Sequence, residues 1–382
     1  MIYLDNAATT KPRKEVIEAM MPYFTDKWYN PSALYGKASE IKKDIENARK
    51  TIGDFINADK DEIFFTSGGS ESNCWAVQGF VNHCKRINRT PTVITSVIEH
   101  KSIIECIDDI DADVHYVGVD KDGFINIEAL ENLLKYVVGN KVLVSIQFSS
   151  NEIGTIQHIK EIADLVHKYD GVFHADAVQA FGQIPIDVKE FEIDMLSASG
   201  HKIGALKGIG ILYKKKSVNI SSLIYGTQMD DMRGGTENVP YIIGMAKAVE
   251  LCNVNDIINF AAKKHIQYYL MECLKDEFGC TINGNLENRL PNNINVTFPQ
   301  NITGEALIYL LDMCEIYISS GAACNSHTQE PSHVLKAIGL TDEECSRTVR
   351  ITLPEIDSVD EWIAKVDMVV SEIGKQIKLL SV

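Results

Sequence analysis

Lys202 lies in a setting that suits chemistry at an amine. It follows the apolar run Met195–Ala198, with Ser199, Gly200 and His201 between. A partly buried lysine amine loses its proton more readily than an exposed one, and a neutral amine can form an imine with an aldehyde. A solvated loop lysine is the alternative, because most lysines are exposed.

Cys324 is the cysteine whose neighbours favour reactivity. It lies among the small and polar residues of Ser319–His327, which predict a mobile loop able to bring a thiol to a bound substrate. A reactive cysteine is exposed and partly ionised, whereas a packing cysteine is buried. Of the nine cysteines, the other eight lie mostly in apolar helices or strands, where they are expected to pack.

Two further motifs follow predicted strands. Asp176 comes after the apolar run Val172–His174, and a buried carboxylate there needs a cationic or proton-donating partner, of which a pyridinium nitrogen is one. A helix cap or a structural ion pair is the alternative. Gly69-Ser70 follows the strand Glu62–Thr66 and opens a helix, whose free N–H groups attract phosphate. A plain turn with a capping serine is the alternative there.

A histidine and an arginine complete the candidate set. His100 directly follows a predicted strand, where an imidazole could stack on a ring and move protons near neutral pH. Arg350 lies in the strand-like Thr348–Ile351 and could hold a carboxylate through two parallel hydrogen bonds. Either residue could instead have a structural role.

The elements that must position these side chains alternate along the chain. Apolar residues recur at helical spacing in Lys42–Phe55, Glu71–Cys84 and His158–Tyr169. Compact apolar runs lie between and after them, at Glu62–Thr66, Thr92–Val97, Val142–Phe148, Val172–His174, Met195–Ala198 and Gly208–Tyr213. Strands that are apolar on both sides and joined by helices predict an α/β domain with a large, mostly parallel sheet over residues 15–255.

The rest of the chain predicts a second, smaller α+β domain formed by residues 1–14 with 256–382, which carries the cysteine loop. A helix over Asn259–Glu277 precedes a strand over Asn293–Phe298, and a closing helix begins at Val359. Ligands of open α/β sheets bind at the carboxyl ends of the strands, so the polar residues that follow the strands are expected to share one site.

Composition excludes several classes of function. The formal net charge of −16 argues against binding nucleic acid or anionic lipid, both of which need a basic surface. Nine scattered cysteines without close pairs predict neither a disulfide framework nor a metal site. No apolar run spans a bilayer and no signal peptide is evident, so we expect a soluble, cytoplasmic protein.

The ordered motifs resemble those of the cysteine desulfurases within the class V aminotransferase family. The resemblance extends from Tyr3 to beyond Arg350 and rests on runs such as Tyr3–Thr10, Thr66–Gly68 with Glu71–Asn73, Asn151–Gln157 and Gly235–Pro240. The run from Ser319 to Leu340 is similar to that of the subgroup with the longer cysteine loop, which commonly supplies iron–sulfur assembly or tRNA thiolation.

The resemblance implies a fold-type I homodimer that uses pyridoxal 5'-phosphate and L-cysteine. It implies that Lys202 holds the cofactor, that Cys324 receives the sulfur, and that His100 stacks on the ring and moves protons. It further implies that Asp176 pairs with the pyridine nitrogen and that Gln179 bonds the ring oxygen. The implied phosphate-binding residues are Gly69, Ser70, Ser199 and His201, with a further contact from Thr236 of the second subunit. Asn151 and Arg350 are implied to bind the substrate carboxylate, and Asn151 also lies beside the cofactor.

Some positions depart from the family pattern and leave alternatives open. Ala322 replaces a common serine near Cys324, Asn325 also varies, and Thr352-Leu353-Pro354 follows Arg350 in place of the usual run. A selenocysteine lyase, a class V transaminase and a non-catalytic sulfur-carrier scaffold are the alternative functions. The sulfur acceptor is expected to be a protein, such as an iron–sulfur scaffold or a tRNA-thiolating enzyme.

Overall fold

The computed structural model describes residues 1–252, 257–299, 302–320 and 331–380. Its strands are β1 (Ile2–Tyr3), β2 (Ile63–Thr66), β3 (Pro91–Ser96), β4 (Asp113–Val117), β5 (Lys141–Gln147), β6 (Val172–Asp176), β7 (Met195–Ser199), β8 (Gly210–Lys214), β9 (Thr281–Ile282), β10 (Asn293–Thr297), β11 (Ile316–Tyr317), β12 (Ser319–Ser320) and β13 (Thr348–Thr352). Its α-helices are α1 (Lys14–Met20), α2 (Pro22–Thr25), α3 (Gly36–Phe55), α4 (Gly69–Arg86), α5 (Lys101–Asp108), α6 (Ile127–Tyr136), α7 (Ile159–Lys168), α8 (Val239–Glu250), α9 (Ile257–Phe278), α10 (Gly304–Asp312), α11 (His333–Ala337), α12 (Asp342–Ser346) and α13 (Val359–Leu380).

A seven-stranded sheet in the order β2-β8-β7-β6-β5-β3-β4 organises the larger part of the molecule. The five strands β4, β3, β5, β6 and β7 run parallel, and β8 is antiparallel to both of its neighbours. The predicted α/β fold with a mostly parallel sheet is therefore confirmed.

Both faces of this sheet are covered by helices, which explains why its strands are apolar without alternation. In β7, Leu196 packs into the core cluster that includes side chains of α3, α7 and α8, whereas Met195 packs into the cluster formed with α4 and α5. In β8, Ile211 packs in the first of these clusters and Leu212 in the second. Neighbouring residues that point to opposite faces are thus both buried, as expected for a sheet between two layers of helices.

A second sheet, in the order β12-β13-β10-β9, has antiparallel pairings throughout and packs in a separate cluster. That cluster joins Leu4 to side chains between Ile266 and Ile377. The division into a larger domain over residues 15–255 and a smaller one over residues 1–14 with 256–382 stays a prediction, and the boundary between residues 255 and 256 lies outside the described residues. No helix in the described ranges is long and apolar enough to cross a membrane.

The structure differs from the predicted elements in several places. The edge strand β4 was not predicted, because four of its five residues are exposed or partly exposed and give no buried apolar run. β8 begins at Gly210 rather than Gly208, since Gly208 has a φ of 89° and belongs to a turn. Ser319 and Ser320, predicted as loop, form β12 against β13.

Candidate active site

A cavity of about 310 Å³ lies where the carboxyl ends of β5, β6 and β7 meet, since Gln147, Asp176 and Ser199 are the last residues of these strands and all line it. The lining gathers almost all of the predicted site residues: Gly69, Ser70, His100, Asn151, Asp176, Gln179, Ser199, His201, Lys202 and Arg350. Thr236 is exposed on the segment between β8 and α8 and does not line the cavity. Cys324 lies outside the described residues.

Lys202 is placed by the single turn of 3₁₀ helix, Gly200–Lys202, that directly follows β7. Its Nζ donates to the carbonyl oxygens of Ala7 and Ala8, the latter at 2.9 Å. The side-chain amide of Gln179 donates to the same Ala7 oxygen at 3.1 Å. The segment after β1 therefore forms one wall of the cavity and orients both side chains.

Asp176 ends β6 and is only 6% exposed. Its carboxylate accepts from Asn73 Nδ2 at 2.7 Å and from the backbone N–H of Val178 at 3.0 Å. Both donors are neutral amides, and Asp176 forms no ion pair with any of the described residues. A buried carboxylate of this kind favours a cationic N–H donor on whatever occupies the cavity.

A hydrogen-bonded chain runs from Asp176 to His100. Asn73 Nδ2 also lies 2.9 Å from Ser102 Oγ, which in turn lies 2.8 Å from His100 Nδ1. The backbone N–H of Ser102 donates to the same Nδ1 at 3.1 Å, which makes His100 the N-cap of α5. Because the Ser102 N–H is a donor, Nδ1 is the acceptor and is unprotonated in the neutral ring, and the Ser102 hydroxyl can donate to it as well.

Electrostatics keep His100 neutral. Burial lowers the pKa of His100, and Asp176 opposes that shift only in part, while the Lys202 charge adds to it. The ring is therefore uncharged near neutral pH, as a side chain must be if it is to accept a proton there.

The amino end of α4 forms the opposite wall. Gly68 caps the helix and Ser70 is its second residue, so the alternative of a capping serine at Ser70 does not apply. Gly69 is required by close packing, since a Cβ there would lie 2.6 Å from Val178 Cγ2. The N–H groups of a helix amino terminus bind anions, and Ser70 adds a hydroxyl beside them.

His201 also lines the cavity, as a neutral ring. Burial, and next the neighbouring Lys202 charge, lower the pKa of His201 to about 4. Its Nδ1 lies 3.2 Å from Thr9 Oγ1, which belongs to the same segment after β1 as Ala7 and Ala8.

Arg350 is held in β13 and is 1% exposed. Its Nη2 pairs with Asp5 Oδ1 at 2.8 Å, and its Nη1 donates to the backbone oxygen of Asn151 at 3.0 Å. Its Nε is buried without a hydrogen-bond partner among the described residues. Asn151 therefore supports the guanidinium through its backbone, and the guanidinium keeps one donor for a further group.

Residues on either side of 321–330 are anchored beside the cavity. β12 pairs with β13, with Ser319 opposite Arg350. On the other side, Ser332 Oγ donates to Glu152 Oε2 at 2.5 Å, and His333 Nε2 lies 2.9 Å from the Glu99 carbonyl oxygen. Glu152 and Glu99 directly follow and precede the cavity residues Asn151 and His100.

Sequence reasoning missed several lining residues. Asn73, Ala7 and Ala8 lie in motifs that carried the family resemblance, but those motifs assigned them no role. Ser102 and Ser149 gave no signal, because their importance depends on which strands and helices the fold brings together.

The donor set is suited to an aromatic ligand that carries an aldehyde and an anionic group. The cavity provides an amine at Lys202, a buried carboxylate at Asp176 and a neutral imidazole at His100. It also provides a helix amino terminus at Gly69 and Ser70, and the buried guanidinium of Arg350 could bind a second anionic group.

Comparison with known proteins agrees with this chemistry. The model of the family described as Aminotransferase class-V matches residues 2–356. A cysteine desulfurase IscS of Methanosarcina thermophila is 41% identical over 386 residues, covering 100% of this chain and 93% of the relative. A cysteine desulfurase IscS of Dictyoglomus turgidum is 40% identical over 357 residues, covering 92% and 89%.

Solved structures show the same fold. The X-ray structure of a NifS-like protein from Rickettsia africae has a TM-score of 0.87 and 32% identity, and the match covers 99% of each chain. A structure described as SspA in complex with cysteine has a TM-score of 0.82 and 36% identity, with 93% of this chain and 99% of that chain covered.

Proposed function

We propose the function of this chain from one premise, that it belongs to the class V aminotransferase family. Within that family it is a cysteine desulfurase, an enzyme that depends on pyridoxal 5'-phosphate and takes sulfur from L-cysteine. The observation that carries the proposal in detail is the cavity that gathers Lys202, Asp176, His100 and Arg350.

The residues of the cavity fit the cofactor. Lys202 would hold it covalently, Asp176 would pair with its ring nitrogen and Gln179 with its ring oxygen, and His100 would stack on the ring. Its phosphate would lie against the amino end of α4, with Gly69, Ser70, Ser199 and His201 around it. When bound, pyridoxal phosphate supplies an electron sink next to the amino group of the substrate.

The chain's own groups would then bind the substrate and move protons. Arg350, whose Nε has no hydrogen-bond partner among the described residues, would hold the cysteine carboxylate together with Asn151. Lys202 Nζ would take the proton from the α-carbon. His100, neutral and held by Ser102 through its Nδ1, would take the proton from the substrate thiol or from Cys324. Cys324 would receive the sulfur as a persulfide, and alanine would leave.

The exposed apolar surface supports a homodimer. Trp28, Leu34 and Tyr225 are 68%, 102% and 85% exposed, and monomeric proteins rarely expose such large apolar side chains in numbers. Thr236, exposed and away from its own cavity, would contact the phosphate in the partner's site. Light scattering should give twice the chain's mass of 42.5 kDa.

The proposed sulfur acceptor and cellular compartment rest on the chemistry of persulfides and thiols. A persulfide is passed to another thiol or metal-binding protein, so an iron–sulfur scaffold or a tRNA-thiolating enzyme is the proposed acceptor. The eight described cysteines are all free thiols, which suits the reducing cytoplasm.

The test compares two variants with matched controls. Purified protein with added pyridoxal phosphate should be yellow and should release alanine and sulfide from cysteine in the presence of a reductant. Lys202→Ala should lose turnover, whereas Lys207→Ala, an exposed lysine five residues on, should keep it.

Cys324→Ala should keep the colour but lose sulfide release, whereas Cys314→Ala, which replaces an exposed cysteine, should keep both. Normal desulfuration by Cys324→Ala would show that another group receives the sulfur. Turnover of selenocysteine alone would point to a lyase.

A further inference from the structure

Two cysteines that the desulfurase reaction does not use face each other between α4 and α5. Cys74 is partly exposed in the second turn of α4, and Cys106 is 6% exposed near the end of α5. Both belong to the apolar cluster that covers one face of the large sheet.

The neighbours of the two thiols show how Cys74 and Cys106 lie relative to each other. Cys74 Sγ lies 3.6 Å from the backbone oxygen of Ser102. Within α5, the same oxygen is the helical acceptor of the Cys106 N–H, four residues on. The Cys106 thiol hydrogen-bonds the Cys74 side chain and the backbone of Gln78, which lies one helical turn beyond Cys74 in α4.

The electrostatics of the pair agree with this contact. The hydrogen bond from Cys106 lowers the pKa of Cys74, against the opposing effect of burial. The same bond, and next burial, raise the pKa of Cys106. Cys74, which is the more exposed thiol and whose thiolate this contact favours, is suited to attack, and Cys106 is suited to resolve.

We propose that Cys74 and Cys106 form a reversible disulfide when a hydroperoxide oxidises the protein. The Cys74 thiolate attacks one peroxide oxygen, the O–O bond breaks, and a sulfenic acid and hydroxide form. The Cys106 thiol then displaces the sulfenic oxygen as water and closes the S–S bond. Two thiols and one hydrogen peroxide give one disulfide and two waters, and a dithiol reductant reverses the reaction.

The Cys74–Cys106 disulfide would form next to the proposed active site. Cys74 directly follows Asn73, which donates to Asp176. Cys74 also contacts the residue, Ser102, whose hydroxyl links Asn73 to His100. A bond between the sulfurs would therefore tie together the two helices that carry this hydrogen-bonded chain.

The experiment maps the disulfide directly. The Cys324→Ser protein is treated with hydrogen peroxide, its remaining thiols are blocked, and it is digested with trypsin without reduction. Mass spectrometry should find the peptide 61–85 linked to the peptide 102–121, two hydrogens lighter than their sum, and the link should disappear after dithiothreitol.

Matched variants assign the sulfurs. The peptide 61–85 also contains Cys84, a buried cysteine further along α4. Cys84→Ser should keep the link, whereas Cys74→Ser and Cys106→Ser should each lose it. Because a substitution at a buried position could impair folding, the fold of each variant is checked by circular dichroism. If Cys106→Ser does not fold, the test rests on Cys74→Ser, which replaces the more exposed of the two cysteines. Absence of the link in folded protein after full oxidation, or its persistence in Cys74→Ser, would overturn the proposal; neither result bears on desulfuration.

Discussion

Asn73 is the residue that connects the two halves of the proposed site, because one amide bonds both Asp176 and Ser102. Its Nδ2 lies 2.7 Å from the carboxylate and 2.9 Å from the hydroxyl, and the residue is buried. The same amide therefore sets the position of the carboxylate that faces the cofactor ring and, through Ser102, the orientation of His100.

Asn73→Ala should lower kcat/KM for cysteine about 10- to 100-fold. The reason is the loss of a buried hydrogen bond to a charged group, which is worth about 1.5–3 kcal/mol. Alanine formation under steady-state conditions measures the effect. Asn140→Ala is the control, since Asn140 bonds Thr92 at the opposite end of the sheet and should change kcat/KM little. Equal rates for wild type and Asn73→Ala would show that the amide does not position Asp176.

Sequence reasoning at this scale succeeded where a residue lies in a motif with its own chemistry. Lys202, Asp176 and Arg350 were predicted to share a site, and all three line one cavity. Ser102 could not be predicted, because its role exists only once α5 packs against α4. The pairing of Arg350 with Asp5 was also missed, since 345 residues separate the two in sequence.

At the scale of elements, α11 connects the cavity to the residues that follow Cys324. Ser332 caps this helix by accepting from the Leu335 N–H at 3.1 Å while its hydroxyl donates to Glu152. Apolar contacts of Val334 and Leu335 with Ile98 and Ile153 complete the docking. The helix is thereby fixed to the loops that carry His100 and Asn151.

Ser332→Ala should loosen this docking and slow sulfur transfer while cofactor loading stays unchanged. Loss of the cap costs about 1 kcal/mol, and Glu152 loses its hydroxyl donor as well. Hydrogen exchange of residues 333–337 should become about fivefold faster, as expected for about 1 kcal/mol.

Thr341→Ala is the matched control for that prediction. Thr341 caps the next helix, α12, without contacting Glu152, so this variant should keep normal sulfide release. If both variants slowed sulfide release equally, the effect would be general destabilisation rather than positioning.

Elements were predicted well where burial is complete and poorly at edges. The buried strands β5, β6 and β7 appear within a few residues of their predicted positions. β4 was missed because an edge strand with partly exposed residues shows neither a buried run nor clear alternation. α11 and α12 are five residues each, too short for a helical period to be visible.

For the whole molecule, buried ionisable groups set the pH range of stability. Burial raises the pKa of Glu99 to about 8 and that of Glu152 to about 7. Burial also lowers the pKa of His174 to about 3. The folded protein therefore holds these carboxyls protonated and this imidazole neutral at pH values where the unfolded chain does not.

The sign of each effect follows from proton binding. For Glu99 the folded state binds more protons than the unfolded state between about pH 4.5 and 8, so its contribution to stability is lost as pH rises through that window. For His174 the unfolded state binds more protons between about pH 3 and 6.5, so stability is lost as pH falls through that window.

Glu99→Gln should therefore become more stable relative to wild type as pH rises from 5 to 8. A permanently neutral amide removes a slope of at most about 1.4 kcal/mol per pH unit. Thermal unfolding across this range measures the difference, with Glu105→Gln, an exposed carboxylate on α5, as the control. A constant difference in Tm between Glu99→Gln and wild type would show that Glu99 ionises normally in the folded protein.

The segment after β1 has a consequence for how the protein is made. Asp5 pairs with Arg350, the Asp5 backbone bridges to Thr352, and β1 pairs with β11. During synthesis, residues 2–10 therefore leave the ribosome more than 300 residues before most of these partners. At about 5–20 residues per second, that interval is some tens of seconds. The wall that orients Lys202 is thus among the last parts of the site to be completed, and a nascent chain stalled before β13 would expose the cavity's lysine without its Arg350.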